Sequence, residues 1–240
     1  EHRRVKVNGQ DQVINAIANL PSESFRLTTV SVTNDQVTDA GLANFKGCTN
    51  LTTLTLGGPN ISDAGLVHFK DCKNLNLLAL AGLASDAGMV HFKECEKLLV
   101  LDLRSTQVTD AGLAHFKDCK NLMTLYLGGR PGVTDVGLAH FKDCTKLTKL
   151  QIHGTRVGDA GLAYFKDVPL QDIRLSPGNF TPQGLAVLRE MKSLKTIGIG
   201  KDATQIWPAA EFWERYDKGE FKVGFVPFTD ADVKRIAALP

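Results

Sequence analysis

Residues 98–121 read LLVLDLRSTQVTDAGLAHFKDCKN, and the same frame recurs along most of the chain. Units begin at Leu27, Leu51, Leu75, Leu98, Leu122, Leu147, Leu170 and Leu194, each 23 to 25 residues after the last. A fixed period of this length marks an array whose units cannot bury an apolar face alone and must stack. The units are numbered one to eight in that order.

The first half of a unit is LxxLxL, as at Leu51, Leu54 and Leu56, followed by alternation of apolar and polar residues. That period predicts a strand with one buried face. The second half opens on a helix signal. Thr38, Ser62, Ser85, Thr109 and Thr134 are residues that cap free backbone N–H groups. Asp39, Asp63, Asp86, Asp110 and Asp135 follow them, where a carboxylate meets the positive end of a helix. In unit seven the pair is Thr181–Pro182, and proline favours the first helical position, which fixes the register. Leu113 and Phe116 and their counterparts take the inward helical positions. Glycine recurs at 41, 65, 88, 112, 137, 161 and 184. Glycine inside a helix costs about 1 kcal/mol against alanine, so a column of them implies close approach of the neighbouring coil.

Stacked strands joined by right-handed helical crossovers lie parallel. The expected fold is α/β: a right-handed solenoid, or horseshoe, of about eight repeats, with a concave parallel sheet and convex helices. LxxLxL followed by VTDAGLAHFKDC resembles the leucine-rich repeat, and within it the cysteine-containing class. The resemblance covers residues 25 to 200. The near-identical VTDAGLAHFKDCKN units are similar to arrays in large planctomycete-type bacterial proteins, some of which also carry a protein kinase. The repeat region of F-box substrate receptors is a more distant relative, and no F-box pattern is present.

The expected organisation is a capping segment over residues 1–24, repeats over 25–200, and an aromatic cap over 201–240. Within the first, Ile14, Ile17 and Leu20 fall at helix slots of a divergent first turn. The last forty residues gather Trp207, Phe212, Trp213, Tyr216, Phe221, Phe225 and Phe228. They read as a cover for the final repeat, with an exposed docking patch as the alternative, and Pro208 should open a helix to about Lys218. Residues 229–240 match the pattern of residues 11–21 and read as the start of a second array. The chain reads as a piece of a longer protein.

The 240 residues carry 28 Lys and Arg against 26 Asp and Glu, so no basic surplus suits general nucleic-acid binding. No apolar run approaches the roughly 18 residues that span a bilayer. Cys48, Cys72, Cys95, Cys119 and Cys144 share one slot, filled by Val168 in unit six. A column spaced by whole repeats suits neither disulfides nor zinc, so these read as buried free thiols. Unpaired thiols favour a reducing, cytoplasmic setting, although buried ones also survive in an exported or membrane-tethered protein. His68, His91, His115 and His140 form a second column. Neighbouring helices are about 8–10 Å apart, too far for one ion to bridge two imidazoles at about 2 Å each. No metal and no cofactor is expected.

Positions that vary and face solvent are where a partner is read. In units one to three the outward strand slots are small or apolar. In units four to seven they hold Asp102, Arg104, Tyr126, Lys149, Gln151, His153, Asp172 and Arg174, beside the one-residue insertion in Gly128–Gly129–Arg130–Pro131–Gly132. Tyr and Arg often anchor interfaces, and charges of both signs suit a protein or peptide partner. The expected function is a monomeric, non-catalytic recognition module within a larger protein. A self-assembling scaffold is the alternative. A hydrolase is the weaker third reading: Asp102, His153 and Ser176 match a triad by type, but no strained nucleophile turn precedes Ser176. There is no GxSxG, Walker loop, HExxH, GxGxxG or kinase motif.

Overall fold

A computed structural model describes residues 3–7, 26–33, 35–199 and 205–220. The expected readings of residues 8–25 and 221–240, including Phe221, Phe225, Phe228 and the second array, lie outside the described residues. Among the described residues ten strands form one sheet in chain order: β1 Arg3–Val7, β2 Leu27–Thr33, β3 Thr53–Gly57, β4 Leu77–Leu80, β5 Val100–Asp102, β6 Thr124–Tyr126, β7 Lys149–Gln151, β8 Asp172–Arg174, β9 Thr196–Ile199 and β10 Gln205–Pro208. Strands β2 to β9, one from each unit, pair parallel without a slip in register.

The two outermost strands run the other way. β1 pairs antiparallel with β2, and β10 pairs antiparallel with β9. The segment Arg3–Val7 is therefore an antiparallel edge strand of the sheet. An antiparallel strand needs no helical crossover, so it covers the end of the array with a short segment that lacks the leucine motif.

Strands β2 to β8 are each followed by a helical turn: α1 Asp39–Leu42, α2 Asp63–Leu66, α3 Asp86–Met89, α4 Asp110–Leu113, α5 Asp135–Leu138, α6 Asp159–Ala163 and α7 Pro182–Glu190. In units one to five the helix is four residues long and tightens at once into a three-residue 3-10 turn that ends on Phe. The inward Leu and Phe thus fall on two kinds of turn. A 24-residue period has no room for a longer helix before the chain returns to the sheet. Thr38, Ser62, Ser85, Thr109, Thr134 and Thr181 are the caps, each hydroxyl accepting an N–H two or three residues on.

The core is a stack of identical layers. Leu51, Leu54, Leu56, Leu66 and Phe69 are buried, and their counterparts repeat through unit seven. Phe69, Phe92, Phe116, Phe141 and Phe165 form a continuous column under the convex side. At the far end α8, Ala209–Asp217, brings Phe212 to full burial. Trp207, Trp213 and Tyr216 pack half-buried around it, with the Trp213 ring edge-on to Phe212 at 4.9 Å.

One interaction recurs that the spacing alone does not reveal. Asp63 belongs to unit two, but its carboxylate serves unit three. It accepts the backbone N–H of Ser85 at 2.8 Å and the Ser85 hydroxyl at 2.5 Å. Asp39, Asp86, Asp110 and Asp159 do the same for Ser62, Thr109, Thr134 and Thr181. Each carboxylate therefore meets the helix N-terminus of the next unit as well as its own. This explains the glycine column. A methyl group at Gly65, Gly88, Gly112, Gly137, Gly161 or Gly184 would fall on Oδ1 of the preceding unit's aspartate.

Candidate functional site

The sheet face turned away from the helices carries three outward rows. Strand pairing aligns Val100, Thr124, Lys149 and Asp172 in the first, and Asp102, Tyr126, Gln151 and Arg174 in the second. Arg104, Gly128, His153 and Ser176 follow the strands as the third. The eight expected residues therefore occupy adjacent rungs, with strands about 4.8 Å apart.

Arg104 organises one end of the cluster. Its guanidinium donates to both carboxylate oxygens of Asp102, at 3.0 and 2.7 Å. It lies 4.8 Å above the centre of the Tyr126 ring and reaches Oε1 of Gln151 at 3.5 Å. Four residues from three units thus share one packed arrangement, and the fork to Asp102 holds Arg104 firmly in its charged form. Gln151 departs from the sequence reading. It is buried, at 8% exposure, because Arg104 extends across the row above it. It acts as a rest for Arg104 and offers little surface to a partner.

Asp172 and Arg174 form a second, looser pair at 3.5 Å. Asp172 also accepts the Thr196 hydroxyl at 2.7 Å. Lys149 is exposed and has no ion pair among the described residues. His153 is half-buried, and its ring lies in the space left by the missing side chain of Gly128. Gly128 is thus a gap in the third row that the neighbouring imidazole fills.

The small slots of units one to three also matter. Thr33, Thr55, Ala79 and Ala81 line a hollow of about 290 Å³, closed on one side by Asp102, Arg104 and Ser105. The sequence reading passed over these positions because they carry no chemistry. The usable signal is a run of small residues on consecutive rungs beside bulky polar ones. Ser105 takes a left-handed backbone at φ +60°, a conformation rare outside glycine, at the rim of this hollow.

The triad reading fails on geometry. The whole of β6 separates Asp102 from His153, Asp102 is engaged by Arg104, and the Ser176 hydroxyl oxygen accepts the Gly154 N–H at 2.8 Å. The cysteines form a ladder of another kind. Each thiol from Cys72 onward donates to the backbone carbonyl of the preceding cysteine at 3.4–3.5 Å. All five are free, and burial pushes Cys95 and Cys119 up to about 12. Among the described residues no group of three or more potential ligands could hold a metal ion. No described helix is long and apolar enough to cross a membrane.

The family of the BspA type leucine-rich repeat region matches residues 18–130 and 130–210, in six copies. The chain belongs to the BspA-type leucine-rich repeat family. Among solved structures, this leucine-rich repeat chain is similar to internalin F of Listeria monocytogenes, at 21% identity and a TM-score of 0.57 over 72% of this chain. It spans about half, 48%, of that protein. Internalin C2 of the same organism matches at 22% identity and a TM-score of 0.56, over 72% of this chain and 81% of the other. A crystal structure of PEPR1–AtPEP1 matches at 14% identity and a TM-score of 0.50, over 72% of this chain and 24% of the other. No curated protein matches the sequence.

Proposed function

We propose that the leucine-rich repeat array is a non-catalytic recognition module of a larger protein, binding a protein or peptide partner on the sheet face of units four to seven. The observation that carries this reading is the assembly of Asp102, Arg104, Tyr126 and Gln151 from three successive units, beside an open hollow. Side chains already held by their neighbours lose little freedom on binding. A fork-bound arginine stacked on a tyrosine offers the residue types that most often anchor interfaces. Asp172, Arg174, Lys149 and His153 extend the surface across two further rungs. The thiol ladder supports placing the array in the cysteine-containing class, similar to the planctomycete-type arrays.

The test is paired capture. The chain and its Tyr126→Ala/Arg174→Ala variant are used as bait against the same lysate, with melting measured for both. Partners held by the wild type and lost by a variant of unchanged melting temperature support the reading. Partners held equally by both overturn it.

A further inference from the structure

The charge on this face is not that of the whole chain. Between residues 100–107, 124–132, 149–156 and 172–179, the strands and following loops of units four to seven carry Arg104, Arg130, Lys149, Arg156 and Arg174 against Asp102 and Asp172. Five cations against two carboxylates give +3, while the full chain is only +2, so the remainder is net −1. Two of the cations are matched by the two carboxylates, at Arg104–Asp102 and Arg174–Asp172. The nearby Asp110 is committed to the next unit's backbone and cap hydroxyl, and Asp135 to the Gly158 N–H.

Arg130 stands out among the rest. It occupies the slot three residues beyond the last core residue of the strand region, counted from Leu127. In the units on either side that slot holds Thr106 and Thr155, both buried, each donating to the carbonyl three residues back. Arg130, in the array's one inserted loop, is itself half-buried. Its Nε is shielded from solvent and has no hydrogen-bond partner among the described residues. Its guanidinium makes no ion pair there either, and desolvation pulls its pKa down. A half-desolvated cation without a counter-charge carries part of the cost of burying a charge, and a carboxylate arriving from outside would relieve it with a forked contact. Arg156, exposed on the next rung, has no ion pair among the described residues, and its backbone pairs with Thr134, four residues along the loop that carries Arg130.

We propose that the partner presents an acidic peptide segment, which crosses the sheet face and ends over the loop edge of units five and six with a carboxylate on Arg130 and Arg156. This rests on the recognition reading above and adds its chemistry. The direction follows from the layout: Lys149 lies on the first row of the same two units, so unmatched positive charge runs from the start of the strands to the loops that follow them.

A random twelve-residue peptide display selected on the 240-residue chain tests it, with fluorescence polarisation of the winning peptides at low and moderate salt. Asp- and Glu-rich winners are expected. Arg130→Thr/Arg156→Gln should weaken them at least about tenfold, and added salt should weaken the wild-type contact. Arg130→Thr restores the residue of the neighbouring units, so its melting temperature should equal or exceed the wild type, and Lys117→Ala on the convex side should bind as wild type. Winners without acidic bias, or unaffected by the arginine changes, overturn the proposal. If such winners are still lost with Tyr126→Ala/Arg174→Ala, the recognition reading stands and only the acidic partner falls. Failure to select any peptide overturns both. Equal binding of a single-stranded oligonucleotide, lost with the same arginines, also overturns it in favour of a general anion surface.

Discussion

Replacing Gly158 with serine should stabilise the protein, because between Asp39 and Thr181 unit six is the one place where the aspartate ladder is incomplete. Asp135 accepts the Gly158 N–H at 2.8 Å, but Gly158 has no hydroxyl to offer its second oxygen. The backbone there is extended, at φ −121°, so any side chain fits, and a Cβ would stand 3.8 Å from Asp135 Oδ2 and 3.4 Å from the Asn179 carbonyl. A serine supplies a cap, worth only a few tenths of a kcal/mol over glycine, and the missing hydrogen bond, worth about 1 kcal/mol, or roughly 2–4 °C in melting temperature for a chain of this size. No gain would mean the carboxylate's second contact adds nothing. The glycine column gives the converse test. Gly112→Ala forces a methyl group onto Asp86 and should cost about 1–3 kcal/mol by overpacking. Gly41→Ala meets only Val37 Cγ1 at 3.7 Å among the described residues, and should be neutral or gain up to about 1 kcal/mol of helix propensity. Thermal melting of the pair decides; equal losses would sink the carboxylate explanation. At this scale the sequence displays the glycines and the aspartates as separate columns. It hides their contact, because Asp86 and Gly112 are 26 residues apart and meet only when units stack.

Among the repeating elements, the turn that follows each Phe sets the environment of the thiols. From Cys72 to Cys144 they are buried and hydrogen-bonded to the coil before them, whereas Cys48, in unit one, is only half-buried. An alkylating reagent at mildly alkaline pH should label Cys48 first and reach the other four only on unfolding, since the thiolate is the reactive form; mass spectrometry of the labelled peptides reads this directly. The same burial predicts a pH dependence. Desolvation pushes Cys72 and Cys144 to about 11 and Cys95 and Cys119 to about 12, against 9.0 for an ordinary thiol. Between 9 and 12 the folded chain therefore holds more protons than the unfolded one, and stability falls as pH rises through that window. Below 9 these groups contribute no pH dependence. Cys119→Val, which copies Val168 of unit six, should reduce the alkaline loss while leaving neutral stability within about 1.5 kcal/mol. Urea midpoints at neutral and alkaline pH test it, and an unchanged alkaline slope would put the loss elsewhere. Strand register and outward rows are legible in the sequence because a two-residue period leaves no freedom once the leucines are buried. Helix length is not, since DAGLAHF carries the apolar spacing of a longer helix while the return to the sheet cuts it to a single turn and a 3-10 turn.

The whole molecule is quasi-one-dimensional: each unit touches its neighbours, and stability is the sum of local terms and interfaces. Its ends therefore matter more than its middle, and they are where sequence reading fell short. The antiparallel β1 and β10 carry no leucine motif, so nothing in RRVKV or QIWP announces that they close the sheet. The aromatic composition near residue 210 is visible, but its geometry is not: Phe212 ends the buried core, Arg189 of α7 lies 5.1 Å from the Trp213 ring centre and pairs with Asp217, and Arg215 bridges Glu211 and Glu220. Phe212→Ala removes a fully buried aromatic from the last layer and should cost about 3–5 kcal/mol. In a globular core that loss would be shared by every element. In a stack of units it should be felt where it falls, because opening a terminal unit breaks only one interface. Hydrogen exchange should therefore show lost protection in β9, β10 and α7, with the amides of β4 to β6 close to wild type. Lys218→Ala, at the solvent-facing end of α8, serves as a control and should change neither. Uniform acceleration across all strands would show that the array unfolds as a single cooperative body, and would also undermine the view that the recognition face of units four to seven keeps its geometry when the terminal units open.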